Sequence, residues 1–339
     1  MKRKEYHKLL YLVFLFLMGI TITVCTQNNA PHPEEVNVEY TPKHINLIRP
    51  IVEPEKIYRM YLSSKRFESL PKEMVKMKNL QTLKLTRVQI NDWEQSLNTI
   101  QTFHNLKDLA ISVTSIDELH LNSNKLPKLE KLDLSLTQGY NLENEIEYLA
   151  KFHHLKTLFI DGLEIDSLPK NIGSLKKLEF IQFGEHNEDF NYSEAFDLLN
   201  QLPKLNSLFI CIADIDNDIE SFQKLNEIQH LGFYNSEIDL EIIFKAISNW
   251  NNLEKIELVD MHLVKLPQNI TQLQSLKSLS LYHNPDLDHA SLFRQLAKLP
   301  HLEELVISET VDYQKDTLFH LPKEIGMLKN LRKLEMEYM

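Results

Sequence analysis

The residues in this chain that could do chemistry are few. Asp214, Asp216, Asp218 and Glu220 set four carboxyls at alternate positions, the pattern with which a calcium loop begins. Such a loop also needs a glycine at its sixth position and a glutamate at its twelfth, and both are missing here. A solvated acidic turn is therefore expected, with no bound metal. His153 and His154 are adjacent. On the helix expected there, neighbouring side chains diverge and cannot converge on one ion. Cys211 has Cys25 as its sole counterpart and reads as a free thiol lining an exposed strand face. No spacing places a nucleophile beside its base or builds a phosphate or dinucleotide loop. No catalytic residue, cofactor or enzymatic activity is expected.

Binding chemistry remains. Phe159, Phe180, Phe209, Ile212 and Tyr234, with Tyr282 further along, fall where a strand period of two turns side chains away from the core. Asp161 and Gln182 lie among them. A contiguous exposed apolar patch marks an interface, and aromatic residues are favoured anchors. The competing expectation is a ladder of rings stacked on one another, which stabilises a sheet without any ligand.

Those positions have meaning only if strands recur in phase. Leucine supplies 56 of 339 residues. The frame L-x-x-L-x-L runs from Ile57-Met60-Leu62 through Leu155-Leu158-Ile160 and Leu205-Leu208-Ile210 to Leu331-Leu334-Met336, in twelve copies stepped by 23 to 29 residues. Short and long steps alternate. The short ones carry a second motif, as in Leu168-Pro169-x-x-Ile172 and Leu266-Pro267-x-x-Ile270. The proline suits the first turn of a short helix, and the isoleucine returns to the core. The long ones carry apolar residues at helical spacing, such as Trp93-Leu97-Ile100 and Phe244-Ile247-Trp250, and read as amphipathic helices.

The chain resembles the leucine-rich-repeat family over residues 57–339. The resemblance implies an α/β solenoid, a horseshoe or arc with a parallel sheet on its concave face and alternating short-turn and helical convex segments. Each repeat leaves its leucines uncovered until neighbours stack on it. One departure concerns the turn after each strand, where the family usually has asparagine. Here that column runs Lys65, Val88, Thr114, Thr137, Leu163, His186, Ala213, Ser236, Met261, Asn284 and Thr310, so fewer side-chain bonds to the turn backbone are expected. Residues 36–56 are expected to cap the N-terminal end. No cap follows the twelfth strand, so that edge is expected either to fray or to pair with a second copy.

The first twenty-four residues read as an address. Lys2, Arg3, Lys4 and Lys8 precede the uncharged run 9–24, which is short for a membrane span and fits a secretory signal. Ile22-Thr23-Val24-Cys25 resembles the lipobox of bacterial lipoproteins, which implies a lipidated Cys25 followed by a polar tether over 25–35. Val24 departs from the small residue usual there, leaving ordinary cleavage or an uncleaved anchor open. The net charge of -11 argues against nucleic acid. Along the inner face, Arg59, Lys84 and Arg87 precede the aromatic positions, and Glu257, Asp260, Glu304, Glu309, Glu335 and Glu337 follow them. The expected role is recognition of a protein partner at the bacterial cell envelope, by a chain lipid-anchored at the outer membrane or cell surface. Glycan binding and a purely structural envelope role stand as alternatives.

Overall fold

The structure is a computed structural model that describes residues 54–236, 238–308 and 321–337. All of these belong to one compact unit, Val38–Met339. The signal segment, Cys25 with its tether, and the cap expected over 36–56 up to residue 53 lie outside the described residues, as do Glu309 and Thr310.

Twelve strands, from Arg59–Ser63 to Lys333–Glu337, form a single sheet in strict chain order. Every pairing is parallel and in the register of the leucine frame, so Leu158 lies beside Ile181 and Ile181 beside Leu208. The strand leucines and isoleucines point one way, and Leu83, Leu85, Leu158, Ile160, Leu208 and Ile210 are fully buried. This is the leucine-rich-repeat α/β fold expected from the spacing.

The convex segments also follow the two motifs. After Pro71, Pro169, Pro267 and Pro322 come short 3-10 helices, Lys72–Lys76, Lys170–Ser174, Gln268–Gln272 and Lys323–Met327. Met74, Ile172 and Ile270 drop from them into the core. The longer repeats carry α1 (Trp93–Ile100), α2 (Leu142–Leu149), α3 (Tyr192–Leu199), α5 (Leu240–Ala246) and α6 (His289–Leu296), and the short step from Leu205 to Ile228 carries the one-turn α4 (Ile219–Phe222), a departure from the expected alternation. Five of them start on an Asp or Asn whose side chain accepts a backbone N–H of the first turn: Asp92, Asn141, Asn191, Asp239 and Asp288. Each such cap contributes about 1 kcal/mol. Their inner aromatics stack from repeat to repeat, with Phe196 to Phe222 at 5.1 Å and Phe222 to Trp250 at 5.2 Å between ring centres.

The first ten strands of the sheet leave it through the same backbone turn. Ser64, Arg87, Val113, Leu136, Gly162, Glu185, Ile212, Asn235, Asp260 and His283 all have φ between 41° and 70°. Each donates its N–H to the next strand, as Arg87 does to the Ser112 carbonyl and Ile212 to the Tyr234 carbonyl. The hydrogen bond, repeated down the stack, holds a left-handed conformation that Val and Ile rarely adopt.

The expectation of fewer side-chain bonds to the turn holds at Val88, Leu163, Ala213 and Met261, whose side chains have no donor, and is corrected at Thr114, Thr137, His186, Ser236 and Asn284. Thr137 Oγ1 donates to the Ile111 carbonyl at 2.8 Å, Thr114 Oγ1 to Val88 and Ser236 Oγ to Tyr234 at 3.0 Å. Asn284 bonds the Tyr282 carbonyl and the N–H groups of Met261 and Leu263. His186 receives the Gly184 N–H on Nε2 and donates from Nδ1 to the Leu163 carbonyl at 3.0 Å. A hydroxyl or a neutral imidazole replaces the amide because the groups to be satisfied are the same.

Candidate functional site

The side chains between the strand leucines form the other face of the sheet. In its middle row Phe159, Gln182, Phe209, Gly232 and Glu257 are consecutive partners. In the row nearer the strand starts the partners are Lys131, Thr157, Phe180, Ser207, His230 and Lys255. Contacts run diagonally between the rows. Lys131 Nζ sits 4.4 Å above the Phe159 ring centre. Phe159 to Phe180 is 5.1 Å and Phe180 to Phe209 is 6.3 Å. Phe209 meets His230 edge-on at 5.9 Å. His230 Nε2 lies 2.9 Å from Glu257 Oε1, and Lys255 pairs with the same oxygen. A continuous strip thus crosses six strands, cationic at one end, aromatic in the middle and an ion triad at the other.

The expectation that these aromatics face water is corrected. Phe159, Phe180 and Phe209 are 5%, 5% and 3% exposed and make a closed cluster of their own. Tyr234 is buried as well. The rings lie along the sheet rather than standing on it, and one reason is Gly232: a Cβ there would fall 2.0 Å from Phe209 Cε2. Asp161 and Gln182 are buried beside them, while Ile212 and Tyr282 are half-buried, Ile212 in the turn rather than on a strand. Of the flanking acids, Glu257 is not an offered anion, because it is held in the ion triad. At the basic end Tyr61 is exposed, with Lys84 Nζ 5.5 Å from its ring centre.

Two carboxyls are buried in this face. Asp161 is 0% exposed. Its Oδ1 accepts from Ser135 Oγ and from Gln182 Nε2, each at 2.9 Å. Its Oδ2 is buried with no partner. Desolvation pushes its pKa up to about 7, against the lowering effect of the Gln182 bond. Glu257, 7% exposed, goes the other way. Desolvation alone would raise it, but His230 and Lys255 bring it down to about 2.

The remaining candidates are placed as follows. Cys211 is a free thiol but is buried, 1% exposed, not lining an open face. Burial, with Asp161 and Glu185 nearby, pushes its pKa well up, so it is not a reactive thiolate. His153 and His154 are exposed in the turn after α2 rather than on a helix. Asp214 and Asp216 spend their carboxylates on backbone: Asp214 accepts from the Asp216 N–H and Asp216 from the Asp239 N–H. Among the described residues no group of three or more His, Cys, Asp or Glu is placed to hold a metal ion.

Lys131, His230, Lys255 and Gly232 belong to the strip although the sequence did not single them out. The signal was present in the column just before the second leucine of each frame, where Lys131, Phe180, His230 and Lys255 share one register.

No protein-family model and no curated protein matches the sequence. Among solved structures the chain is similar to an internalin of Listeria monocytogenes, at 16% identity, covering 83% of this chain and 87% of that one with a TM-score of 0.37. It is similar to internalin C2 of the same organism at 17% identity, covering 71% and 84%, with a TM-score of 0.34. A leucine-rich-repeat protein of Leptospira interrogans gives 21% identity, 88% of both chains and a TM-score of 0.38. The fold assignment rests on the strand order and register described above.

Proposed function

We propose that this chain is a non-enzymatic recognition protein of the bacterial cell envelope that holds a protein partner against the strand face opposite the leucines. The observation that carries this reading is the prebuilt strip from Lys131 to Glu257. Its side chains are already fixed by ring stacking, a cation over a ring and an ion triad, so little conformational entropy remains to be lost on binding. The strip presents Lys131 and Lys255, both half-buried, over a closed aromatic floor, which suits a protein surface that offers carboxylates. Sugar recognition needs an open ring face. The Phe159 ring is engaged by Lys131 and Phe180, which favours the protein reading over the glycan one.

The test is affinity capture from an envelope fraction with wild type and with Lys84→Glu/Lys131→Glu. Both lysines are half-buried on this face and are cations acting on the buried Asp108, so the capture is run well below the variant's own thermal unfolding midpoint, with folding checked by circular dichroism. A protein retained by wild type and lost at least tenfold by the variant supports the reading. Equal retention by both sinks it.

Location belongs to the same proposal. Residues 1–24 would export the chain and Cys25 would carry the lipid. Cys25→Ala should then move the protein from the membrane fraction to the soluble one, and an unchanged distribution would contradict it. No described helix is long and apolar enough to cross a membrane.

A further inference from the structure

Because all twelve strands are parallel, their starts share one edge of the sheet and their ends share the other. The two edges carry opposite charge. The eight residues before each strand, from Thr82–Thr86 onward, hold 15 Lys and Arg against 5 Asp and Glu. The eight residues beginning at each of the ten left-handed turn positions hold 19 Asp and Glu among the described residues, against 4 Lys and Arg. A chain of net charge -11 therefore keeps a basic edge.

Pairing within that edge sharpens the picture. The residue just before each strand donates its N–H to its counterpart in the preceding repeat, as Lys107 does to the Gln81 carbonyl and Glu130 to the Lys107 carbonyl. Four of the five acids are consumed along this ladder, in Lys107–Glu130, Lys156–Glu179, Lys277–Glu254 and Arg332–Glu303. The outer positions are left as exposed cations, among them Lys78, Lys125, Lys176, Lys177, Lys204 and Lys298. Helix dipoles do not account for them. Lys78, Lys176 and Lys177 follow the 3-10 helices Lys72–Lys76 and Lys170–Ser174, which have no long C-terminus to neutralise.

We propose that the strand-start edge docks this protein flat on an anionic lipid surface, with the acidic strand-end edge turned away from it. Twelve strands at about 4.8 Å make a row roughly 50 Å long. Exposed cations run from Lys78 to Lys204 and recur at Lys298, while the starts between them hold only Lys224 and Lys277, each paired with an acid. The row meets a plane of phosphate headgroups over most of its length. Aromatics for stacking on nucleobases are not offered by this row: the rings in the eight residues before the strands, Phe103, Phe152, Phe222 and Trp250, are all buried in the core. The inference does not depend on the concave-face reading.

The test is flotation of the full chain with vesicles of neutral phosphatidylcholine and with vesicles containing phosphatidylglycerol. It is run at about 10 mM and about 1 M salt, where the Debye lengths are about 30 Å and 3 Å. The N-terminal segment, with Lys2, Arg3, Lys4 and Lys8 before its apolar run, also favours the anionic vesicles, so the contribution of the edge is read as the difference between wild type and edge variant, which share that segment. The basic edge should add at least tenfold for the anionic vesicles at low salt and nothing at high salt. Each lysine near such a surface is worth about fivefold, so Lys125→Glu/Lys176→Glu/Lys177→Glu/Lys204→Glu should lower anionic-vesicle binding at least tenfold at low salt and leave neutral-vesicle binding unchanged. Lys72→Glu/Lys170→Glu/Lys245→Glu/Lys265→Glu, the same charge change elsewhere, should retain most of it. Equal binding to both compositions, equal loss in both variants, salt-dependent self-association without flotation, or binding to linear polyphosphate but not to vesicles would each overturn the proposal.

Discussion

Asp161 and Glu257 lie on the same face, four strands apart, and both are buried. One has its pKa raised to about 7 and the other lowered to about 2. Burial does not separate them; partners do. Asp161 has two neutral donors on one oxygen and none on the other. Glu257 has a lysine and a histidine. Burying a charge is costly unless a cation shares the site. The buried carboxyl beside the aromatic part of the strip is therefore electrostatically strained near neutral pH, and the one in the ion triad is stabilised by its charge.

The largest effect should come from removing the strain. The folded pKa of Asp161 lies above its unfolded value, so its stability contribution is complete below about pH 4 and is lost as pH rises toward 7. Asp161→Asn keeps the shape and the Oδ1 bonds, and should stabilise the protein by about 2 to 4 kcal/mol at pH 8. Denaturant melts at pH 8 and pH 4 check this, and the gain should vanish at the lower pH. Glu257→Gln should act oppositely, costing about 2 kcal/mol at pH 7 by leaving Lys255 and His230 without their anion. Its folded pKa is depressed, so the wild-type advantage is present above about pH 4.5 and fades as pH falls toward 2. The same melts from pH 7 to pH 2 should show the two curves converging.

Gly232→Ala probes the aromatic bridge between the two ends. Its methyl would strike the Phe209 ring, so the ring must lift away from the sheet. A loss of about 1 to 2 kcal/mol is expected, with the aromatic resonances of Phe209 and His230 shifted and those of Phe183 in the core unchanged. The smallest effect should come from a neutral buried polar group. Thr137→Val removes the bond to the Ile111 carbonyl and should cost about 1 kcal/mol. That loss should not change with pH, in contrast to both carboxyls.

The repeat was legible because its signal is local: three leucines in six residues, read twelve times in phase. The convex alternation was legible for the same reason, since L-P-x-x-I and a helical stripe are patterns within one repeat, but α4 falls in the short step from Leu205 to Ile228, where neither pattern announced it. What escaped depends on pairs about 23 to 27 residues apart. Period two correctly put Phe159 and Phe209 on the face away from the leucines. It could not say that the rings lie down, because that depends on Gly232 in the next strand. Cys211 was misplaced similarly, flanked in register by Gly184 on one side and Tyr234 on the other. The left-handed column gave no residue-type signal, since Gly162 is the sole glycine in it and a backbone bond does the work instead. The edge polarity was present in composition but scattered, and it becomes visible only when parallel strands align every strand start.

The central claim is that recognition occurs on the strand face opposite the leucines. The most direct measurement is site-specific photo-crosslinking in cells, with the reactive group at Thr157, half-buried in the strip, or at Glu147, exposed on α2. The account predicts a discrete crosslinked protein from position 157 and none from 147. A crosslink from 147 with none from 157 would contradict it and move the partner to the convex helices.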